Sequence, residues 1–325
     1  MSQDRFRWLE FDESAPAPAP TASDKDEHYY LQEAVRAYLE GDFEPALRHY
    51  SAALKHDKAL HEAWAGQVRC LVRMKELREA QTWSDKACKL FPGTPVLESA
   101  RALAQAASGL MAEALAASDR ALEAAEKSGL PSPHLWLERG ACLVADKQIS
   151  TAEHCFAKVL EHCPDDPDWA QRIASEWLEG EQPARAAQLL NEVVQKRPAR
   201  AYVWLLQARA LRRLGQKKRA LEALDRADSL RQNWPEAIEE RRLLSRNCWI
   251  ATLVFGSENH PSVASLRQWR DERWLTCAVG RLGSDLYDRT APGVCLLVSR
   301  SPRTRRLLRG WLQWLAARLE DGRRG

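Results

Sequence analysis

With 325 residues, 48 Lys and Arg against 45 Asp and Glu, and a formal net charge of +3, the chain lacks the bulk positive charge that points to nucleic acid. No apolar run approaches the roughly 18–20 residues that span a bilayer. Eight cysteines without a CxxC predict a reduced, cytoplasmic protein with no structural metal and no cofactor.

The opening MSQDRFRWLEF is charged and holds no apolar core, so no secretory leader is expected. Residues 1–28 carry seven acids (Asp4, Glu10, Asp12, Glu13, Asp24, Asp26 and Glu27) against three bases. Among them Phe6, Trp8 and Phe11 form a cluster that either docks on its own chain or is captured by a partner as a short linear motif. Residues 14–23 alternate proline with alanine, which favours extended backbone and blocks a packed core. Residues 1–26 are therefore expected to form a disordered acidic and Pro-Ala arm.

A repeat comes next. Alanine recurs at 46, 80 and 114, then at 152, 186 and 220, each set at a spacing of 34 with one four-residue insertion between the sets. In the same register lie the aromatics Tyr30, Trp64, Trp136 and Trp204, and a second small-residue column of Ala53, Ala87, Ala121, Val159, Val193 and Ala227. Pro92, Pro164 and Pro198 close three repeats, and Gly41, Gly109, Gly180 and Gly215 sit near the turn inside four. Such a period means stacked helical hairpins. A small residue is needed where two helices cross closely, and proline opens a helix because only an N–H without an intrahelical partner is lost there.

This pattern resembles the tetratricopeptide repeat, with Gly41-Asp42-Phe43 and Gly140 matching consensus letters and Tyr50 and Phe156 in the aromatic slot of the second helix. Repeats are placed at 27–60, 61–94, 95–128, 133–166, 167–200 and 201–234. The resemblance implies an all-α solenoid, a right-handed superhelix whose concave face binds a protein or peptide. It further implies that the second, fifth, ninth, twelfth and thirteenth positions of each first helix line that face. Carried over, the groove holds Leu31, Val35 and Tyr38; Arg69 and Arg73; His134, Leu137 and Val144; and Tyr202, Arg209, Arg212 and Arg213. Leu31 and Val35 stand where the family's carboxylate clamp needs lysine and asparagine, so that clamp is absent. The arginines suit an acidic partner, gripped bidentately.

Residues 235–247, beginning at Pro235, are expected to be a helix capping the array. Cys248-Trp249-Ile250-Ala251-Thr252 then opens a segment with Leu266-Arg267-Gln268-Trp269-Arg270-Asp271 and a late Pro302-Arg303-Thr304-Arg305-Arg306-Leu307-Leu308. It resembles the CFI-box C-terminal domain, placed at 248–319 and expected to be a compact helical module ahead of a basic tail at 320–325. No nucleotide loop, GxSxG or HExxH occurs, and solenoids of this kind bind rather than catalyse, so no enzyme is expected. Cys248 with His260 is the one couple worth weighing for thiol chemistry, set against a buried structural cysteine.

In the last helix Leu308, Trp311, Leu312, Leu315 and Leu319 share one face by spacing. Arg303, Arg305, Arg306 and Arg309 crowd its N-terminal half, where the helix dipole disfavours cations. Together with Trp311 and Trp314 they suit an external anion, such as a membrane surface met through 299–319. The simpler alternative has the apolar face covering 248–298 with the arginines in water. The runner-up to an adaptor is thus a repeat-targeted effector acting through Cys248 or through interfacial membrane association. Nucleic acid is not an expected partner, because no base-stacking module is present.

Overall fold

The computed structural model describes residues 26–129, 132–244, 249–256, 260–274 and 301–321, with isolated positions between 280 and 298. The arm at 1–25 and Cys248 lie outside the described residues. Two compact units are present, Met1–Gln232 and Asn233–Gly325.

The first unit is six helical hairpins. Their first helices are α1 (Glu27–Leu39), α3 (His61–Arg73), α5 (Pro95–Ala107), α7 (Pro133–Ala145), α9 (Pro167–Glu179) and α11 (Ala201–Arg213), each of 13 residues. The second helices are α2 (Phe43–His56), α4 (Leu77–Leu90), α6 (Met111–Ser128), α8 (Ile149–His162), α10 (Pro183–Lys196) and α12 (Lys217–Leu230). All second helices have 14 residues except α6, with 18, so the insertion in the sequence is one added helical turn. The alanines at 46, 80, 114, 152, 186 and 220 are fully buried, which is the close helix crossing that the period demanded. Trp64 and Trp204 donate their indole N–H to the carbonyls of Lys58 and Pro198, fastening each repeat to the loop before it.

Two details of the turns differ from the sequence expectation. The residue with positive φ is the fifteenth of every repeat: Gly41, Lys75, Gly109, Lys147, Glu181 and Gly215. There the N–H groups after the first helix return to its last carbonyls, as in Gly41 to Tyr38 and Asp42 to Ala37. Gly180 is not that residue. It is the C-cap of α9, where any Cβ would strike Val144 Cγ1, so its glycine serves close approach rather than turning. Likewise Pro92, Pro164 and Pro198 come after the caps and stop helices, while the prolines that open them are Pro95, Pro133, Pro167 and Pro183.

The curl of the array brings its first repeat onto its fifth and sixth. Gln171 Nε2 donates to the Leu39 carbonyl at 2.7 Å, and Arg231 pairs with Asp42 at 2.7 Å. The Phe43 and Tyr202 rings meet edge to face at 6.0 Å, and the Tyr202 ring would lie 2.5 Å from a Cβ on Gly41. The corner between α1 and α2 is therefore a packed contact, and the inner face is enclosed by its own chain.

The second unit contains α13 (Pro235–Leu244), α14 (Trp249–Phe255), α15 (Pro261–Trp269), a π turn (Arg270–Trp274) and α16 (Pro302–Asp321). Ala251, Val254, Phe255, Val263, Leu266, Val298, Leu312 and Ala316 form a small core here, with Leu308, Leu315 and Leu319 against it. Trp311 does not join them, which corrects the single-face reading of α16. It lies in a second stripe with Leu307 and Trp314, exposed at 77% (Leu307), 56% (Trp311) and 55% (Trp314).

Candidate functional site at the inner face of the repeats

The first helices of repeats two, four and five line the enclosed face with charge. Arg69 on α3 donates to Glu138 on α7 at 2.5 Å, with side chains 8% and 3% exposed. One turn along, Arg73 pairs with Glu176 on α9 and donates to the Tyr38 hydroxyl at 3.2 Å. Burial works against both guanidiniums, but the facing carboxylates hold their pKa values above the ordinary range. Burial also raises the Glu176 carboxyl despite Arg73.

Arg69 and Arg73 are thus consumed by internal pairs, which corrects the expectation that they stand ready for a partner. The rest of that groove set divides. Tyr202 and Leu137 are buried. His134 packs its ring against Trp169 at 4.7 Å, and burial, aided by Arg69 and Arg172, holds its pKa well below the usual value. Arg213 donates to the Leu178 carbonyl, and Arg209 and Arg212 are half-buried with contacts of their own.

Glu138, Arg172 and Glu176 were missed. They occupy the sixth position of repeat four and the sixth and tenth of repeat five, just beside the stripe read from the family pattern. Arg172 and Glu176 are four apart, which from sequence alone reads as a pair within one helix. Glu176 instead faces Arg73. Arg172 lies over the rings of Tyr38 at 5.4 Å and Trp169 at 5.0 Å.

A cleft of about 230 Å³ opens between the C-terminal ends of α3, α5, α7 and α9. Leu103, Ala106 and Val144 give it apolar walls, with Arg73 and Glu176 within and Lys75 and Glu179 paired at 2.7 Å on its edge. A wider depression of about 620 Å³ lies among α10, α11 and α12 and includes Trp204, Arg219 and Glu222.

Buried cysteines behave as small apolar groups. Burial raises the thiols of Cys70 and Cys142, the latter to about 12. No described group of three His, Cys, Asp or Glu residues could hold a metal ion, and no described helix is long and apolar enough to cross a membrane. In the second unit His260 stacks on Phe255 at 4.3 Å and accepts from the Ser262 N–H through Nδ1. Arg305 donates to the Leu253 carbonyl at 2.5 Å and Arg309 lies over Phe255, so these two arginines serve the end of α14. A cation there meets carbonyls that the helix leaves unpaired, and this explains its place in the chain without an external anion. Arg306 is exposed; the Arg303 side chain lies outside the described residues.

The Tetratricopeptide repeat family matches residues 178–239. Those residues carry a repeat of this kind. A tetratricopeptide repeat protein from Parabacteroides merdae is 15% identical, the match covering 76% of this chain and 92% of that one, with a TM-score of 0.44. PilW, a type IV pilus biogenesis factor, is 19% identical over 66% of this chain and 98% of its own, at 0.42. A thermophilic TPR protein of Thermus thermophilus is 19% identical over 57% and 98%, at 0.43. No curated protein matches the chain.

Proposed function

We propose that the repeats are a cytoplasmic protein-interaction adaptor whose inner face takes a peptide or protein segment, and that the chain catalyses no reaction of its own. The cleft between α3, α5, α7 and α9 carries this reading. It joins apolar walls to a few fixed charges, the combination that buries one side chain of a ligand and orients its neighbours. Ala107 and Ala145 line the cleft and are exposed, so tryptophan at either closes it without disturbing the core. An immobilised peptide array probed with the wild type, A107W and A145W tests the reading. Bound peptides should lose at least about tenfold in affinity, equivalent to about 1.4 kcal/mol; unchanged binding by both variants sinks the cleft as the site.

A second reading concerns the C-terminal unit, whose sequence resembles the CFI-box. The exposed Leu307, Trp311 and Trp314 stripe on α16 favours an interfacial contact, with Arg306 nearby in sequence. Flotation with vesicles containing anionic lipid tests it: L307S/W311S/W314S should stay behind when the wild type floats, and a wild type that never floats ends the idea.

A further inference from the structure

Repeats two and six use one position in opposite ways. In repeat two Trp83, at the twenty-third position, packs against Trp64 at the fourth with ring centres 6.0 Å apart, and both indoles are buried. Lys86 lies over the Trp83 ring at 4.8 Å. In repeat six the fourth position is again a tryptophan, Trp204, held as Trp64 is by an N–H donated to the loop before it. The twenty-third position is Ala223, and Arg226 stands where Lys86 does. The depression of about 620 Å³ is lined by Trp204, Ala223 and Arg226, so it lies in the register of the missing indole. Trp204 is left half-buried. Repeat one covers Tyr30 with His49 at the same position, 6.4 Å away, and repeat four has the buried Cys155 there.

Polar groups of the depression narrow its occupant. Gln207, like Gln67 in repeat two, spends its Nε2 on the helix before it and leaves Oε1 buried without a partner. In repeat six that side chain lines the depression, where an N–H donor could reach it. Lys217, Lys218 and Arg219 open α12 with no acid in its first turn, where the helix dipole disfavours cations. Lys218 and Arg219 are exposed, and Arg219 donates to the neutral amide of Gln216. Past Ala223 the sign turns, with Asp225 and Asp228 around Arg226. The N-terminal arm carries the mirror of this order: Arg5 and Arg7 precede Trp8, and Glu10, Asp12 and Glu13 follow it. Of its aromatics Phe6, Trp8 and Phe11, Trp8 alone brings an N–H.

We propose that the chain's own N-terminal arm fills this depression, with the Trp8 indole against Trp204 above Ala223. The arm runs antiparallel to α12, its acids along the basic start of that helix and Arg226 over the incoming ring. The arm is long enough. Asp26 caps α1, and beyond the far end of α1 Asp42 is held by Arg231, which follows α12. With about 20 Å for α1 and about 12 Å from Arg231 back to Ala223, the way from Asp26 to the depression is under about 40 Å. The 18 residues from Trp8 to Asp26 include the Pro-Ala run. At about 3.1 Å per residue they reach about 55 Å. Tethering also supplies an effective concentration of about 1 mM, so a segment with a Kd of about 0.1 mM stays docked about tenfold over free. The depression shares no residue with the cleft between α3, α5, α7 and α9, so this docking stands apart from the adaptor reading.

The test uses the full chain labelled with 5-fluorotryptophan, with the fluorine resonances of Trp8 and Trp204 identified as those lost in W8F and W204F. A synthetic peptide of residues 1–14 with the same label gives the undocked position of Trp8. We expect Trp8 of the chain to lie away from that position and W8A to move the Trp204 resonance. A223W, which supplies the indole that repeat two has, should return Trp8 to the peptide's position. K218E/R219E, at exposed sites, should lower the docked-to-free ratio about tenfold and carry Trp8 about halfway back. That variant decides the matter if thermal melts show that A223W does not fold. A wild-type Trp8 already at the peptide's position, or a Trp204 resonance indifferent to W8A, overturns the proposal. If Trp8 returns to the peptide's position on dilution of the chain, the occupant is the arm of a second copy and docking within one chain is overturned. If W8A leaves Trp204 unmoved while added N-acetyltryptophanamide moves it, the depression takes an aromatic side chain from a partner and the arm is not its ligand.

Discussion

In the repeat unit several polar side chains on the inner face meet residues roughly 70 to 130 positions away, as Arg69 meets Glu138, Arg73 meets Glu176 and Gln171 meets Leu39. In the C-terminal unit the core among the described residues is eight buried side chains, and α16 keeps Leu307, Trp311 and Trp314 outside it. A periodic array can assign its side chains twice, once to the neighbouring repeat and again across the curl. A short helical unit has one core to fill, and apolar surface remains. The first region thus hides its chemistry, and the second displays it.

The largest expected effect comes from breaking that hidden chemistry. Glu138→Ala leaves the buried Arg69 with only the more exposed Glu62, 3.6 Å away, and should destabilise the repeat unit by up to about 3–5 kcal/mol in urea unfolding. A loss below about 1 kcal/mol would mean the pair is wet.

Next comes His134, whose folded pKa lies below its ordinary value. Below about pH 6.5 the unfolded chain takes up a proton that the native chain refuses, so stability falls as pH falls. The loss at pH 5 cannot exceed about 2 kcal/mol, the ceiling set by protonating the unfolded imidazole alone, and His134→Gln should remove that part of the slope. Parallel pH profiles for variant and wild type would place His134 in water.

A smaller effect, of opposite sign, is expected at Lys147, which holds φ of 61° where repeats one, three and six use glycine. Lys147→Gly should stabilise by about 0.5–1 kcal/mol, read as a higher urea midpoint at constant slope. The smallest belongs to the C-terminal unit: L307S, W311S and W314S should each change stability by less than about 0.5 kcal/mol, since none of the three side chains is buried. A larger loss would show that the stripe is covered.

Much of the fold could be read from spacing. The alanine columns fixed the hairpins because helix crossing tolerates only small side chains, and all six of the first column are buried. The turn was half legible: glycine marks it in repeats one, three and six, but Lys75, Lys147 and Glu181 adopt the same positive φ without any sign in their identity. Gly180 does sit beside the turn, but it is needed there for the close approach of Val144 rather than for a positive φ.

The site was less legible. Arg73 does meet Tyr38, but what the inner-face residues do depends on Glu138, Arg172 and Glu176, and only the curl of six repeats brings these together. A local pattern carries no information on a contact 103 residues away. On α16 the apolar spacing gave the buried face except for Trp311, while the purpose of Arg305 required knowing where α14 ends.

The account rests on the inner face being closed across the curl, and a double-mutant cycle on Arg73→Met and Glu176→Met tests this most directly. If α3 and α9 share a buried pair, the two single losses will exceed the double loss, with a coupling of at least about 1.5 kcal/mol in urea unfolding. Additivity within about 0.5 kcal/mol would mean that the two residues do not meet, and that the array is open.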